Sequence, residues 1–262
     1  MQKYWILFIA FRKIQLMKMV EYRGDFFFWT IVSLLWTAFK YFYFGLIFSQ
    51  GNGVAGWNYD QIMLLISFFT MIDALTWSVF YPNMSEYTKQ IFNGELSKYL
   101  LIPVNPMYLI MTQKATYHNI PRFLVGLFVL IHTVQKLQLS ISLGQVLAVS
   151  LIFISGCILI YSCWFILATC SFWVEKLENI NEIMPQLRSV YQVPSQVFTG
   201  ITGFVFTFLL PLGLVTTLPS QVILGTANPH AIIYLFLSSA FFFTVATQFF
   251  KLSIKKYTSV GG

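Results

Sequence analysis

An all-α polytopic membrane fold with about six transmembrane helices follows from three observations. The 262 residues are 57% apolar and 19% aromatic with only 10% charged, more than a soluble core of that size requires. Apolar runs approaching or exceeding the roughly 20 residues that a bilayer demands recur along the chain. Lysine and arginine, finally, gather on one side of the arrangement that those runs imply.

The elements follow in chain order. Residues 1–24 carry an apolar stretch interrupted by Lys3, Arg12, Lys13 and Lys18. No small-residue cleavage site follows, which excludes a signal peptide and predicts an interfacial helix lying on one leaflet. Gly24 would let the chain turn into the first span. The predicted spans are 26–48, 62–80, 107–132, 143–173, 193–218 and 231–250. Pro194 and Pro211 make the fifth the weakest of them. Together 1–262 reads as a single transmembrane domain.

Six spans put both termini on one side, and that side holds Lys89, Lys98, Arg188, Lys251, Lys255 and the N-terminal cations. The opposite loops hold Lys136. Both termini are therefore expected in the cytoplasm. The net charge of +7 is then a matter of topology and anionic membrane lipids. No soluble basic module exists to bind nucleic acid.

The largest polar interruption is 83–106, NMSEYTKQIFNGELSKYLLIPVNP. Met84, Tyr87, Ile91 and Phe92 recur at helical spacing, with Glu86 and Lys89 elsewhere on the wheel. Asn93-Gly94 makes a turn, and a shorter amphipathic piece runs through Glu95, Leu96, Tyr99 and Leu100 before Pro103 and Pro106 end it. A structured helix at the mouth of a bundle reads as a surface for a partner. Asn83-Met84-Ser85 is formally a glycosylation sequon, discounted because it lies on the cytoplasmic side.

Enzyme chemistry finds no motif. The chain has no G-x-x-x-x-G-K-[ST] phosphate loop, no H-E-x-x-H and no G-x-S-x-G. Cys157, Cys163 and Cys170 sit in one apolar run, where a thiol acts as a small hydrophobe. No catalytic residue, metal site or resident cofactor is expected.

Charges inside spans cost about 2.5–3.5 kcal/mol each on insertion scales, so each is a functional candidate. Asp73 lies about 16 Å into the second run at 1.5 Å per residue, and Lys40 about 12 Å into the antiparallel first. A Lys40–Asp73 pair is geometrically possible, either as structure or as part of a substrate path or gate. Charge reversal at both positions would restore folding if the pair is structural. Lys114, His118 and Arg122, spaced by four, predict a basic stripe on the third helix, and Arg122 joins the candidate substrate path.

Four stretches in order carry a resemblance: YRGDFFFW at 22–29, GELSKYLLIP at 94–103, SVYQVP at 189–194 and LPSQVILG at 218–225. With the basic leading helix and the six-run pattern, the chain resembles the membrane subunits of ATP-binding-cassette exporters of the type-2 permease class. The resemblance implies an N-terminal elbow helix and a second permease copy or paralogue. It implies a cytoplasmic ATPase dimer that binds ATP and magnesium, and residence in a bacterial plasma membrane. A coupling helix would take Glu86, Tyr87, Lys89, Ile91, Phe92, Glu95, Leu96, Tyr99 and Leu100, with 175–188 as a second contact. Residues 219–225 would form part of an outer re-entrant region. The alternatives are a proton-coupled secondary transporter using Asp73, or a membrane assembly protein or channel without active transport.

Overall fold

The computed structural model describes residues 2–49, 53–173 and 180–256. All its regular elements there are helical; the one extended contact is a bridge between Val54 and Trp57. In chain order the helices are α1 (Gln2–Glu21), α2 (Arg23–Ser49), α3 (Tyr59–Leu75), α4 (Tyr81–Phe92), α5 (Ser97–Leu100), α6 (Pro106–Thr112), α7 (Ile120–Lys136), α8 (Leu143–Thr169), α9 (Ile183–Leu187), α10 (Gly200–Phe204), α11 (Leu214–Leu224) and α12 (Pro229–Lys256). A π-helical turn, Thr76–Phe80, joins α3 to α4.

Local chemistry sets several of these boundaries. Asn58 and Gln61 form a reciprocal capping box that starts α3, and Ser142 and Gln145 do the same for α8, each satisfying main-chain donors left over in the first turn. Gly225 ends α11 in the left-handed region at φ +71°, a conformation that a Cβ would strain.

Among the described residues, four helical stretches are long and apolar enough to cross a membrane: Arg23–Phe48, Tyr59–Phe92, Leu143–Phe172 and Pro229–Lys255. A fifth candidate is the pair Gly200–Leu209 and Pro211–Leu224, bent by 74° as a broken span or a re-entrant loop. Of the six expected runs, 107–132 is not one helix. Pro121 has no N–H for the carbonyl of Tyr117, and its ring would strike that carbonyl in a continuous helix. The chain stops at Thr112 and restarts at Ile120.

The window in Tyr59–Phe92 is 83% buried while those in the first and last stretches are 17% and 22% buried, so α3 is the central post and α2 and α12 are peripheral. Their outer faces show Phe27, Phe28, Leu35, Leu237 and Phe241, as a lipid-facing surface should. Inside, α7 crosses α3 closely at Gly126, where a Cβ would stand 2.9 Å from Met71 Cγ. Gly156 of α8 meets Val215 of α11 in the same way. Small residues permit such backbone approach. Ser155 and Ser239 tie α8 to α12 at 2.7 Å.

Two sequence expectations change here. The interruption at 83–106 does not begin a separate cytoplasmic helix, because α4 continues α3 through the π turn to Phe92. Residues 219–224 are the last turns of α11, with Pro219 and Ser220 buried, and they fall inside the bent pair that is the broken-span or re-entrant candidate. Gly24 lies within α2; the break after α1 is the single residue Tyr22, spanned by the bonds Tyr22 N to Lys18 O and Phe26 N to Tyr22 O. Asn83, the sequon asparagine, is fully buried and closed to any glycosylation.

Helix α1 buries none of its residues but is tied along 103–117. Lys3 donates to Pro103 O at 2.9 Å, Gln15 to Gln113 O at 3.2 Å, and Arg12 to Thr112 O. Tyr108 donates to Tyr4 O at 2.8 Å.

Candidate functional site

The break in the third apolar run makes the site. The π turn directly after Asp73 leaves main-chain carbonyls outside the α-helical ladder, and the linker 113–119 uses them. Thr116 donates from N to Ser78 O at 2.8 Å and from Oγ1 to Trp77 O at 3.0 Å. Asn83 binds Lys114 through both its N–H and its carbonyl. Ser33 of α2 donates to Asn119 Oδ1 at 2.8 Å.

Between α2, the π turn with α4, and this linker lies a cavity of about 970 Å³. One wall is aromatic, with Trp29, Trp36, Phe39, Tyr43 and Phe44 of α2 facing Trp77 and Tyr81. Trp36 and Phe39 are 65% and 59% exposed, so this wall is open. The opposite wall is polar and ends on an ion cluster.

Asp73, fully buried, is the centre of that cluster. Its Oδ2 meets Lys40 Nζ at 3.4 Å and Arg122 Nη2, and its Oδ1 meets Arg188 Nη1 at 3.3 Å. Burying such a carboxylate is tolerable only with close partners. Lys40 also sits 4.0 Å above the Phe69 ring, and Arg188 5.6 Å above Trp77, contacts that spread positive charge over π faces. One carboxylate thus serves three cations, and positive charge is left over on the cavity side. Two donors of lining residues, Arg122 Nε and Asn119 Nδ2, are closed off from solvent and have no partner.

The expected Lys40–Asp73 contact is formed, and Arg122 joins it. Arg188 was placed in a loop by the sequence; its position just before the fifth apolar run was the available signal. The stripe of Lys114, His118 and Arg122 is corrected, since the helix is broken between the first and last of them. All three nevertheless line the cavity. Burial, against the pull of Asp25, holds the His118 imidazole below its usual range. His118 is therefore neutral at neutral pH.

The residues assigned to partner coupling divide into two sets. Tyr87, Ile91 and Leu96 are buried in the protein's own core. Tyr87 stacks on Phe165 and contacts Thr169 Oγ1 at 3.2 Å; the face is consumed by packing on α8 and α12. Phe92, Tyr99 and Leu100 are half-buried, while Lys89 and Glu95 are exposed. Glu86 pairs with Lys114 at 3.3 Å and lines the cavity beside Lys89. Beyond them Leu101 stands 85% exposed.

Of the second expected contact at 175–188, residues 174–179 lie outside the described residues. Of the rest, two residues meet α4: Asn181 donates to Thr88 Oγ1 at 2.7 Å, and Glu182 Oε1 accepts from Tyr81 at 3.1 Å. Among the described residues no group of three or more His, Cys, Asp or Glu could hold a metal. No curated protein and no solved structure matches the chain. Residues 34–261 match the family described as ABC-2 family transporter protein.

Proposed function

The chain belongs to the ABC-2 transporter family, a family of membrane transport subunits without a catalytic domain, and from that premise we propose that it is the permease of an ATP-driven exporter. It forms half of a substrate path, pairs with a second permease copy or paralogue, and is driven by a separate cytoplasmic ATPase dimer that holds the ATP and magnesium. The family match over 34–261 carries this reading. The missing phosphate loop agrees with it, because energy then enters from a partner.

In this reading the protein has six crossings in a bacterial plasma membrane, with both termini cytoplasmic. Helix α7 is a short third crossing, about 25 Å long at 1.5 Å per residue, and the bent pair is the fifth. Helix α1 is the elbow. The coupling surface is the exposed rim of 86–102, with Lys89, Glu95, Tyr99, Leu100 and Leu101. Closure of the ATPase dimer pushes that rim. Because α4 continues α3, the push reaches Asp73 and its cations as one lever.

A proton-coupled transporter cycling Asp73 fits poorly. Protonating that carboxylate would strand Lys40, Arg122 and Arg188 around a neutral group in a buried place. Co-expression with a Walker-type ATPase encoded beside this chain tests the proposal. The pair should co-purify, and the complex in proteoliposomes should hydrolyse ATP faster than the ATPase alone. Proton-driven uptake by this chain alone in liposomes would sink it.

A further inference from the structure

The cavity has a chemistry of its own. Among the described residues its lining carries five lysines and arginines against two carboxylates, and Asp73 behind the wall does not balance the difference. A ligand that supplies acceptor oxygens meets these cations; a second cation or a hydrocarbon does not. Arg188 is the most open member of the Asp73 cluster, its side chain 37% exposed at the cavity.

The facing wall asks for something else. Trp29, Trp36, Phe39 and Tyr43 present rings along α2 at helical spacing, and they line the same space. Inorganic phosphate has no use for them. From this pairing we infer that the cavity takes an amphiphilic anion, with a phosphate or carboxylate headgroup on the lining cations, Arg188 first among them, and an apolar body along the α2 rings. Guanidinium groups suit such headgroups because their fork matches two oxygens at once. The volume of about 970 Å³ lies at the upper end for ligand sites and accommodates both parts. The inference deepens the transport reading by giving the cargo a class. It rests on that reading only for calling the ligand cargo.

The test is equilibrium binding of labelled hexadecyl phosphate to the full-length protein in phosphatidylcholine nanodiscs. Hexadecyl phosphocholine, with the same tail and no net charge, and inorganic phosphate, with no tail, are the comparisons. Hexadecyl phosphate should bind saturably, and both comparisons at least tenfold more weakly. Arg188→Gln should weaken hexadecyl phosphate at least tenfold, because Arg188 is the most exposed cation of the cluster. Trp36→Ala should weaken hexadecyl phosphate and leave inorganic phosphate unchanged. Lys98→Gln, outside the cavity, should change nothing, and size-exclusion profiles confirm that each variant is folded. Equal binding of hexadecyl phosphocholine overturns the anionic half. Equal binding of inorganic phosphate overturns the apolar half and makes the ligand a free anion. An Arg188→Gln variant that binds like Lys98→Gln removes the site. None of these measurements involves an ATPase, so their failure leaves the permease reading standing, and absence of an ATPase partner leaves them untouched.

Discussion

Asn83 holds the main chain of Lys114 from both sides, donating from Nδ2 to Lys114 O at 3.0 Å and accepting at Oδ1 from Lys114 N at 2.9 Å. The same amide donates to Val79 O within its own helix. A side chain here does for an irregular linker what a neighbouring strand does in a sheet. It satisfies backbone groups that the break between α6 and α7 leaves outside a helix. The cavity floor, the ion cluster and the end of the long α3–α4 post all meet at this clamp.

Asn83→Ala should therefore cost about 2–3 kcal/mol, the penalty for leaving the Lys114 N–H and C=O unpaired in a mostly buried place. Asn83→Asp should cost a similar amount, because the carboxylate can accept from Lys114 N but cannot donate to its carbonyl. Thermal unfolding of the detergent-solubilised protein, followed by tryptophan emission, checks both. An unfolding temperature equal to the wild type in either variant would remove the clamp from the account.

The Asp73 cluster makes a different prediction from the one a simple pair makes. A lone Lys40–Asp73 bridge would tolerate exchange of its two charges. Here Arg122 and Arg188 also depend on the carboxylate, so a lysine at 73 would face two guanidinium groups. The double variant Lys40→Asp with Asp73→Lys should fold no better than Asp73→Lys alone. Asp73→Asn should cost about 3–5 kcal/mol, since it strands buried charges. The recovered monodisperse fraction on fluorescence-detected size exclusion reports both.

Composition and run length made the helical membrane class legible, because the bilayer leaves few other solutions. That Lys40 and Asp73 could meet was legible from rise per residue alone. What escaped was contact between segments far apart in the chain. Arg188 reaches Asp73 from 115 positions away, and no local pattern announces that. The broken third run had a local sign in Pro121, masked by the apolar residues on both sides of it. The face of 84–96 was readable as amphipathic, but periodicity does not say what an apolar face packs on. Tyr87 found Phe165 and Phe250, so the face belongs to the core.

That division yields a test of coupling by contrast. Ile91→Ala and Leu96→Ala should lower stability by about 2–4 kcal/mol, as large-to-small changes in a packed core do. Lys89→Glu and Leu101→Asp, both on the exposed rim, should leave unfolding temperature unchanged and reduce ATPase co-purification. Stability and co-purification are measured on the same preparations. If the rim variants retain the ATPase while Ile91→Ala, still folded, loses it, the docking surface has been assigned to the wrong face.

Gly156 offers a test of the core itself. A Cβ built there would stand 2.6 Å from Val215 Cγ1, well inside contact, and Val215 is fully buried between α8 and α11. A β-branched side chain has one preferred rotamer in a helix and little room to turn away. Gly156→Ala should then destabilise by about 1–3 kcal/mol through overpacking. Its helix propensity gain, about 1 kcal/mol, works in the opposite direction and sets the lower end of that range. Val215→Ala alone leaves a small cavity and should also destabilise. Combined, the added methyl occupies part of the space that Val215 vacates, so the double variant should be more stable than additivity predicts by about 1 kcal/mol or more. Unfolding of all four proteins in one detergent gives the coupling energy directly. Strict additivity would mean that α8 and α11 do not meet at this pair.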